Sequence, residues 1–254
     1  MGFLRRRLWT LALAATLACS CSRPDPAPAK LTVAAASNLM GVFDEITGDF
    51  QKQTGIEVTL SYGSTAQLAK QIENGAPFDV FAAADKEHIA QLADNGHVIA
   101  SSTAVYARGQ LALWIPDGDQ LGVHSLQDLT HPEVRFIAIA QPDLAPYGTA
   151  AVEALKASGL WKELEPKVVY AINIGMARQF AASGNANAAF TAQSLVQEDP
   201  GVIVKVDPSL HTPIDQAVGV VSSSAHPDLG RKFAQFLAGP EARALLRAHA
   251  YTIP

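Results

Sequence analysis

The chain has 254 residues, 48% of them hydrophobic and 17% charged, which is enough for one domain or two small lobes with a sizeable core. Its formal net charge of −5 argues against a nucleic-acid partner, because such a partner requires a basic face. An anionic ligand must therefore be held by local dipoles and hydrogen-bond donors rather than by the overall charge.

The first 29 residues have the pattern of an export signal followed by a tether. Arg5–Arg7 precede an apolar stretch, Leu8–Ala18, that is too short to span a membrane, and a proline-rich segment follows. Both cysteines of the chain, Cys19 and Cys21, lie here, so the rest of the sequence has no thiol chemistry. Each resembles the lipidated cysteine of a lipoprotein signal, but neither has a leucine three residues before it, so ordinary cleavage also stays open. In either case we expect an exported, periplasmic domain.

From residue 30 onward, strand patterns alternate with helix patterns. An apolar run at Leu31–Ala36 predicts a buried strand, hydrophobic residues at helical spacing follow it, and Gly55 predicts the end of that helix. The further strand patterns are, in chain order, IEVTLSY, FDVFAAAD, QLALWIP, FIAIA, KVVYAIN, AAFTA, VIVKV and QAVGVVSS, and two helices close the chain. Strands that alternate with helices predict an α/β fold with mostly parallel sheets.

Four strand-to-helix junctions are rich in hydroxyl, amide and small residues and contain no charged residue. They lie at Ser37-Asn38, at Ser64-Thr65, at residues 145–149 and at residues 173–176. Ligands of α/β proteins bind beyond the carboxyl ends of the strands, and helix N-termini there offer unpaired N–H groups. Converging junctions of this kind would suit a small oxyanion. Taken singly, each is also an ordinary helix cap, so the residues alone leave both interpretations open.

Other chemistries find little support in the sequence. The chain contains no G-x-S-x-G, S-x-x-K, H-E-x-x-H or P-loop motif, which disfavours an enzyme. Its seven histidines are scattered without metal-ligand spacing, at positions 88, 97, 124, 131, 211, 226 and 249. A sensory domain would need a DNA-binding or membrane module, which the sequence does not suggest. We therefore expect no catalytic residues, no cofactor and no direct metal ligands.

Several segments resemble the periplasmic molybdate-binding proteins of ABC importers. They are the region from VAAASNLMGVF to AAADKEHI, the segment IAIAQPDLAPYGTAAVEALKASGLW and the closing FAQFLAGPEARALLRAHAY, with YGSTAQLAKQIENGAP as the most specific part. The resemblance covers nearly all of residues 30–254 and implies a type II periplasmic binding protein. Two α/β lobes, joined by a hinge, would close on the ligand, with lobe one at about 30–109 plus 216–254 and lobe two at about 110–215.

The same resemblance implies a function and part of a site. The chain would be a monomeric substrate-binding subunit that captures molybdate or tungstate and delivers it to the permease and ATPase subunits of an importer. The family holds this tetrahedral oxyanion by its oxygens, without any charged side chain. Ser37 would donate through its hydroxyl and its amide, with Asn38 beside it. Thr65 would supply a second hydroxyl, with Ser64 adjacent.

The resemblance implies two further contacts with the anion, and it implies that a third contact, made by a tyrosine in some members of the family, is weaker in this chain. The backbone amides of Tyr147 and Ile174 would bind the anion. Thr191 stands where some members have a ligand tyrosine. Asp85 and Asp143 are close to the junctions in sequence, and we interpret them as a helix cap and a loop residue.

The identity of the oxyanion is only partly constrained. A protonated phosphate needs an acceptor, and none of the junctions contains a carboxylate, so phosphate is disfavoured. Sulfate is fully deprotonated and tetrahedral like molybdate, and only the size of the cavity would separate them. A binding protein for another oxyanion such as sulfate is therefore the alternative, and an enzyme on the same two-lobed fold is less favoured.

Overall fold

The computed structural model describes residues 29–116 and 118–254. The predicted export signal, with Cys19 and Cys21, lies outside these residues. Within the described part of the chain, every helix is too short or too polar to cross a membrane.

In the described residues, strands and helices alternate along most of the chain. The strands are β1 (Lys30–Ala36), β2 (Glu57–Gly63), β3 (Val80–Ala83), β4 (Ala104–Gly109), β5 (Leu111–Ile115), β6 (Ile137–Ala140), β7 (Val168–Ala171), β8 (Ala188–Ala192), β9 (Val202–Lys205) and β10 (Ile214–Val220). The α-helices are α1 (Val42–Thr54), α2 (Thr65–Glu73), α3 (Glu87–Asp94), α4 (Gly118–Leu121), α5 (Pro146–Ala157), α6 (Trp161–Leu164), α7 (Ile174–Ala182), α8 (Pro227–Leu237) and α9 (Pro240–Ala248). Strand β4 has no counterpart among the strands predicted from the sequence.

The strands form two five-stranded sheets, ordered β2-β1-β3-β10-β4 and β7-β6-β8-β5-β9. In the first sheet β1 is parallel to β2 and β3, and in the second β6 is parallel to β7 and β8. One strand of each sheet is reversed, because β10 is antiparallel to β3 and β4, and β5 is antiparallel to β8 and β9. The predicted α/β class with two lobes is confirmed. The sheets are mixed, however, since each reversed strand forms antiparallel pairs on both sides.

The chain passes between the two sheets twice. Strand β4 ends at Gly109 in the first sheet, and β5 begins only two residues later in the second. The return runs from β9, which ends at Lys205, to β10, which begins at Ile214. The two reversed strands are therefore the ones that directly follow the crossings. The first residue of β10, Ile214, precedes the predicted lobe boundary at residue 216.

The C-terminal helix α8 packs beside α1 on the first sheet. Phe50 of α1 and Phe233 of α8 are both fully buried, with ring centroids 5.2 Å apart in an edge-on arrangement. After α9, Thr252 forms an antiparallel bridge with Arg108 of β4. This bridge ties the C-terminal tail to the first sheet and leaves its neighbour Tyr251 buried there.

Candidate anion-binding site

The four junctions meet at one small cavity between the two sheets. All six residues predicted for the site line it, and each is at most 3% exposed to solvent. The lining residues are Ala36, Ser37, Asn38, Gly63, Ser64, Thr65, Ala84, Ala145, Pro146, Tyr147 and Ile174. None of these residues carries a charge. The cavity is thus a buried, neutral space that receives donor groups from both sheets.

Ser37 and Asn38 enter the cavity because β1 ends at Ala36 and the chain turns at once. Residues Ser37–Leu39 form a single 3-10 turn before α1. The amide nitrogen of the Asn38 side chain donates to Gln216 Oε1 at 2.7 Å and to the Tyr251 hydroxyl at 3.0 Å. The amino group of Asn38 is therefore used by protein partners, whereas the hydroxyl hydrogen of Ser37 has no acceptor among the described residues.

Ser64 and Thr65 differ in how their hydroxyl groups are held. Ser64 is the N-cap of α2, but its side chain makes no capping hydrogen bond, and its buried Oγ has no partner among the described residues. Thr65 is the first residue of α2, and its Oγ1 accepts a hydrogen bond from the Ala84 amide at 3.1 Å. This bond fixes the Thr65 oxygen and leaves its hydrogen free to donate. Both hydroxyl groups can thus act as donors at the cavity.

Tyr147 presents two different groups, an amide near the cavity and a hydroxyl near the first crossing. Helix α5 begins at Pro146, which has no N–H, so the Tyr147 amide is the first donor of that helix and has no intrahelical acceptor. An added Cβ at Gly109 would lie 1.9 Å from the Tyr147 hydroxyl, which places the hydroxyl against Gly109. That hydroxyl is buried without a recorded partner in the described residues, and burial raises its pKa well above the ordinary value.

Ile174 contributes a backbone group at the start of α7. Its predecessor Asn173 caps the helix, because the Asn173 side chain accepts a hydrogen bond from the Met176 amide at 2.9 Å. The Ile174 amide is the first of the helix and therefore has no intrahelical acceptor. The Ile174 side chain is buried at 3% exposure, so the position offers the cavity an N–H and an apolar wall.

Two hydrogen bonds join the lobes at the edges of the cavity. The Gly175 amide of α7 approaches Ser37 Oγ at 3.4 Å, a long and weak bond. The Ala66 amide of α2 donates to the Leu144 carbonyl at 3.1 Å. Both bonds run from a helix that follows one sheet to a segment that follows the other. The described conformation is therefore one in which the lobes are closed over the cavity.

No carboxylate lines the cavity. Asp85 caps α3, as predicted, because its Oδ1 accepts a hydrogen bond from the His88 amide at 2.9 Å, and its hydrogen bond with the His88 ring raises the pKa of that imidazole. Asp143 lies in the turn between β6 and α5, which confirms it as a loop residue. Thr191 is fully buried in β8 and is not among the cavity-lining residues. In the described residues, no group of three or more His, Cys, Asp or Glu side chains is placed to hold a metal ion.

Sequence reasoning missed the residues that support the site from behind. Gln216, Tyr251 and Ser194 form a hydrogen-bonded cluster around Asn38, and Ala84 supplies the amide that holds Thr65. Gln216 had one usable signal, since a glutamine within the apolar strand pattern QAVGVVSS must find partners if it is buried. No sequence signal pointed to Tyr251, Ser194 or Ala84, because their role depends on contacts with distant parts of the chain.

Comparisons with known proteins place this chain in a family. The model of the bacterial extracellular solute-binding protein family matches residues 31–252. The molybdate-binding protein ModA of Rhodobacter capsulatus is 36% identical over 231 residues, covering 89% of this chain and 90% of that protein. ModA of Azotobacter vinelandii is 34% identical over 259 residues, covering 99% of each.

A solved structure agrees with these relatives. The Azotobacter vinelandii periplasmic molybdate-binding protein matches with a TM-score of 0.84 and 33% identity, covering 88% of this chain and 99% of that chain. The resemblance drawn from the sequence is confirmed, and these relatives are named as binding proteins rather than enzymes. The chain therefore belongs to the bacterial extracellular solute-binding protein family, with ModA molybdate-binding proteins among its relatives.

Proposed function

We propose that this protein is the periplasmic substrate-binding subunit of an ABC importer for molybdate and tungstate. One observation carries the proposal. Neutral donors from four separate strand-to-helix junctions line a single buried cavity whose lining residues include no charged side chain. The names of the relatives, which are molybdate-binding proteins, support the choice of anion.

The donors are of a kind and number that could hold a doubly charged anion. They are the hydroxyl groups of Ser37, Ser64 and Thr65 and the amides of Tyr147 and Ile174. A hydrogen bond to a charged group contributes about 1.5–3 kcal/mol net. Five such bonds would together match the roughly 8–12 kcal/mol of a micromolar to nanomolar site. Asn38, in contrast, serves the site by supporting Ser37, since protein partners occupy its amino group.

The neutral lining favours a fully deprotonated anion. Phosphate near neutral pH carries a proton that needs an acceptor, and no carboxylate lines the cavity. The positive ends of helices α2, α5 and α7 act on any anion placed here, and a buried setting strengthens that attraction. Sulfate has the same charge and shape as molybdate and remains the competing ligand.

The capture mechanism is closure of the two lobes around the anion. The six predicted site residues are buried in the closed conformation, so the anion must enter while the lobes are apart. Bonds such as the one from Gly175 to Ser37 form only when the lobes meet. Binding therefore shifts an equilibrium between open and closed states without covalent chemistry. The protein acts as a monomer and delivers the anion to the permease and ATPase subunits of the importer. Residues 1–29 direct its export and tether the domain, through a lipid if Cys19 or Cys21 is modified.

A panel of anions tests the assignment. The purified domain is melted with and without molybdate, tungstate, sulfate, phosphate and chromate. Molybdate and tungstate should raise the melting temperature most, because a ligand at a thousand times its Kd stabilises the folded state by about 4 kcal/mol. Phosphate should have no effect. If sulfate stabilises more than molybdate, the protein belongs to a sulfate importer, and if none of the anions stabilises it, the proposed function is wrong.

A further inference from the structure

A polar cluster, buried except at the half-buried Ser194, lies directly behind the anion cavity. It is centred on Asn38, whose side-chain amino group donates to Gln216 and Tyr251 and whose backbone carbonyl oxygen lies within hydrogen-bonding distance of two hydroxyl groups. Gln216 is fully buried and Tyr251 is 3% exposed. None of Gln216, Tyr251 and Ser194 lines the anion cavity. The cluster therefore reaches the cavity only through Asn38, which lines it.

The hydroxyl groups that meet Asn38 come from different lobes. Tyr251 belongs to the C-terminal tail, which is bridged to β4 of the first sheet, and its hydroxyl donates to the Asn38 carbonyl at 2.7 Å. Ser194 belongs to the 3-10 turn Gln193–Leu195, which directly follows β8 of the second sheet. Its Oγ lies 3.1 Å from the Asn38 carbonyl oxygen and 3.2 Å from the Tyr251 hydroxyl.

The acceptor of the Tyr251 hydroxyl hydrogen can be assigned, whereas Ser194 has a choice of two acceptors. The single hydroxyl hydrogen of Tyr251 is committed to the Asn38 carbonyl, so toward Ser194 the tyrosine oxygen can only accept. Burial raises the pKa of Tyr251 to about 12, so it stays protonated at neutral pH. Ser194 can donate to either oxygen, and with either choice its bond runs from the second lobe to the first.

We propose that Ser194, Tyr251 and the Asn38 carbonyl form a latch that holds the lobes closed and slows release of the bound anion. Asn38 is the residue next to Ser37, so the latch closes on the same turn that presents a donor to the cavity. The inference rests on the proposed function for the identity of the anion, but the latch itself follows from the geometry.

Another hydrogen bond between the lobes lies beside the latch. Gln197, three residues after Ser194, donates from its side-chain nitrogen to the carbonyl of Ala248 at the end of α9, at 3.1 Å. The segment after β8 is thus joined to the first lobe at two points away from the anion. In the closed protein both bonds exist, and in a protein with separated lobes neither can form, so they favour closure independently of any ligand.

The latch predicts a specific kinetic signature. An anion buried by closed lobes can leave only after the lobes open, so contacts that exist only in the closed state slow dissociation. Association starts from the open state, so loss of these contacts should leave its rate unchanged or raise it as the open fraction of the ligand-free chain grows. Ser194→Ala should therefore raise the dissociation rate of molybdate by about two- to tenfold, the equivalent of one neutral hydrogen bond, without slowing association. Tyr251→Phe also removes a support of Asn38 and should weaken both closure and affinity.

The test measures dissociation of radioactive molybdate from the full chain after dilution into unlabelled molybdate, together with the radius of gyration in solution with and without ligand. Ser194→Thr keeps the hydroxyl and should restore slow release. Ser183→Ala is the matched control, because the exposed Ser183 hydroxyl donates only to carbonyls of its own helix. Melting curves establish that each variant is folded.

The outcomes separate this inference from the proposed function. Faster release from Ser194→Ala, with a larger mean radius of gyration and normal behaviour of the control, supports the latch. Equal dissociation rates and equal radii for Ser194→Ala and the unmodified chain overturn it. If the unmodified chain binds no molybdate, the proposed function fails, and the radii of the ligand-free Ser194→Ala and Tyr251→Phe variants alone decide whether the latch exists.

Discussion

At the scale of single residues, the adjacent hydroxyl groups of Ser64 and Thr65 have different tasks. Thr65 Oγ1 is held by the Ala84 amide, whereas Ser64 Oγ is buried without a partner in the described residues. A buried hydroxyl without a partner costs free energy, so its retention here is explained if it donates to a ligand. Besides its proposed role as a ligand, Thr65 accepts the hydrogen bond of the Ala84 amide, which directly follows β3.

Thr65→Ala should therefore reduce both binding and stability. Loss of a donor to the anion should weaken binding by about 1.5–3 kcal/mol, and the Ala84 amide left without an acceptor should lower the free energy of unfolding by about 1–3 kcal/mol. Calorimetry and thermal melting measure the two effects. Thr65→Ser keeps the oxygen and serves as the control.

Ser64→Ala should weaken binding without loss of stability, and a large stability loss in that variant would contradict its role as an unpaired donor.

Ser37→Asp should abolish anion binding. The carboxylate would be placed in a neutral, buried cavity in contact with the anion, where the repulsion between like charges is little screened. Ser101→Asp adds the same charge on an exposed residue and should bind normally. Calorimetric titration with molybdate compares the two. Unchanged affinity in Ser37→Asp would mean that the anion binds elsewhere.

At the scale of elements, the close contact between α5 and β6 sets the position of the Tyr147 amide. Gly148, in the first turn of α5, lies so near the end of β6 that an added Cβ would be 1.9 Å from the Ala140 carbonyl oxygen. Backbone rather than a flexible side chain fills that space. The helix start therefore depends on a residue without a side chain for its approach to the strand.

Gly148→Ala should displace the start of α5 and damage the site. We expect a loss of stability of about 1–3 kcal/mol from overpacking, together with weaker anion binding as the Tyr147 amide moves. Gly48→Ala in α1 is the matched control, because nothing lies within 4 Å of its added Cβ, and it should be neutral or stabilising by about 0.5–1 kcal/mol. Urea unfolding and calorimetry measure both variants. If Gly148→Ala and Gly48→Ala had the same stability and the same anion affinity, the position of α5 would not be constrained by β6.

The elements also show where sequence patterns succeed and fail. A continuous apolar run predicted β1, and hydrophobic residues at helical spacing predicted the helix that follows it, since burial on one face of a helix leaves a visible repeat. Strand β4 was missed because only Val105 and Tyr106 in it are typical strand formers, and because it is a partly exposed edge strand. The antiparallel pairs of β5 and β10 were missed because pattern does not encode strand direction.

At the scale of the whole molecule, the first crossing between the lobes is tied to the site through Tyr147. The hydroxyl of Tyr147 occupies the space in which a side chain on Gly109 would begin. The same residue carries an amide at the anion cavity. A substitution at Gly109 should therefore alter the position of the Tyr147 amide and the affinity for the anion, although Gly109 does not line the cavity.

Gly109→Ala should lower both stability and anion affinity, because the new methyl group would displace the Tyr147 ring. Tyr147→Phe alone should keep nearly full affinity, since the proposed ligand is the amide. The double variant Gly109→Ala with Tyr147→Phe should recover part of the loss, because the closest clashing atom is gone. Molybdate titration of the three variants checks this order. Strong loss of binding in Tyr147→Phe would instead make the hydroxyl a ligand.

The sequence by itself determined the α/β alternation, the neutral donors at four helix starts and the absence of charge among them, because caps and periodicity are local properties of the chain. Only the tertiary structure decided which donors face one cavity and which groups are already satisfied. Asn38 meets partners 178 and 213 residues away, at Gln216 and Tyr251. Such pairings depend on the second crossing, which returns the chain to the first sheet at β10, and no local pattern records them.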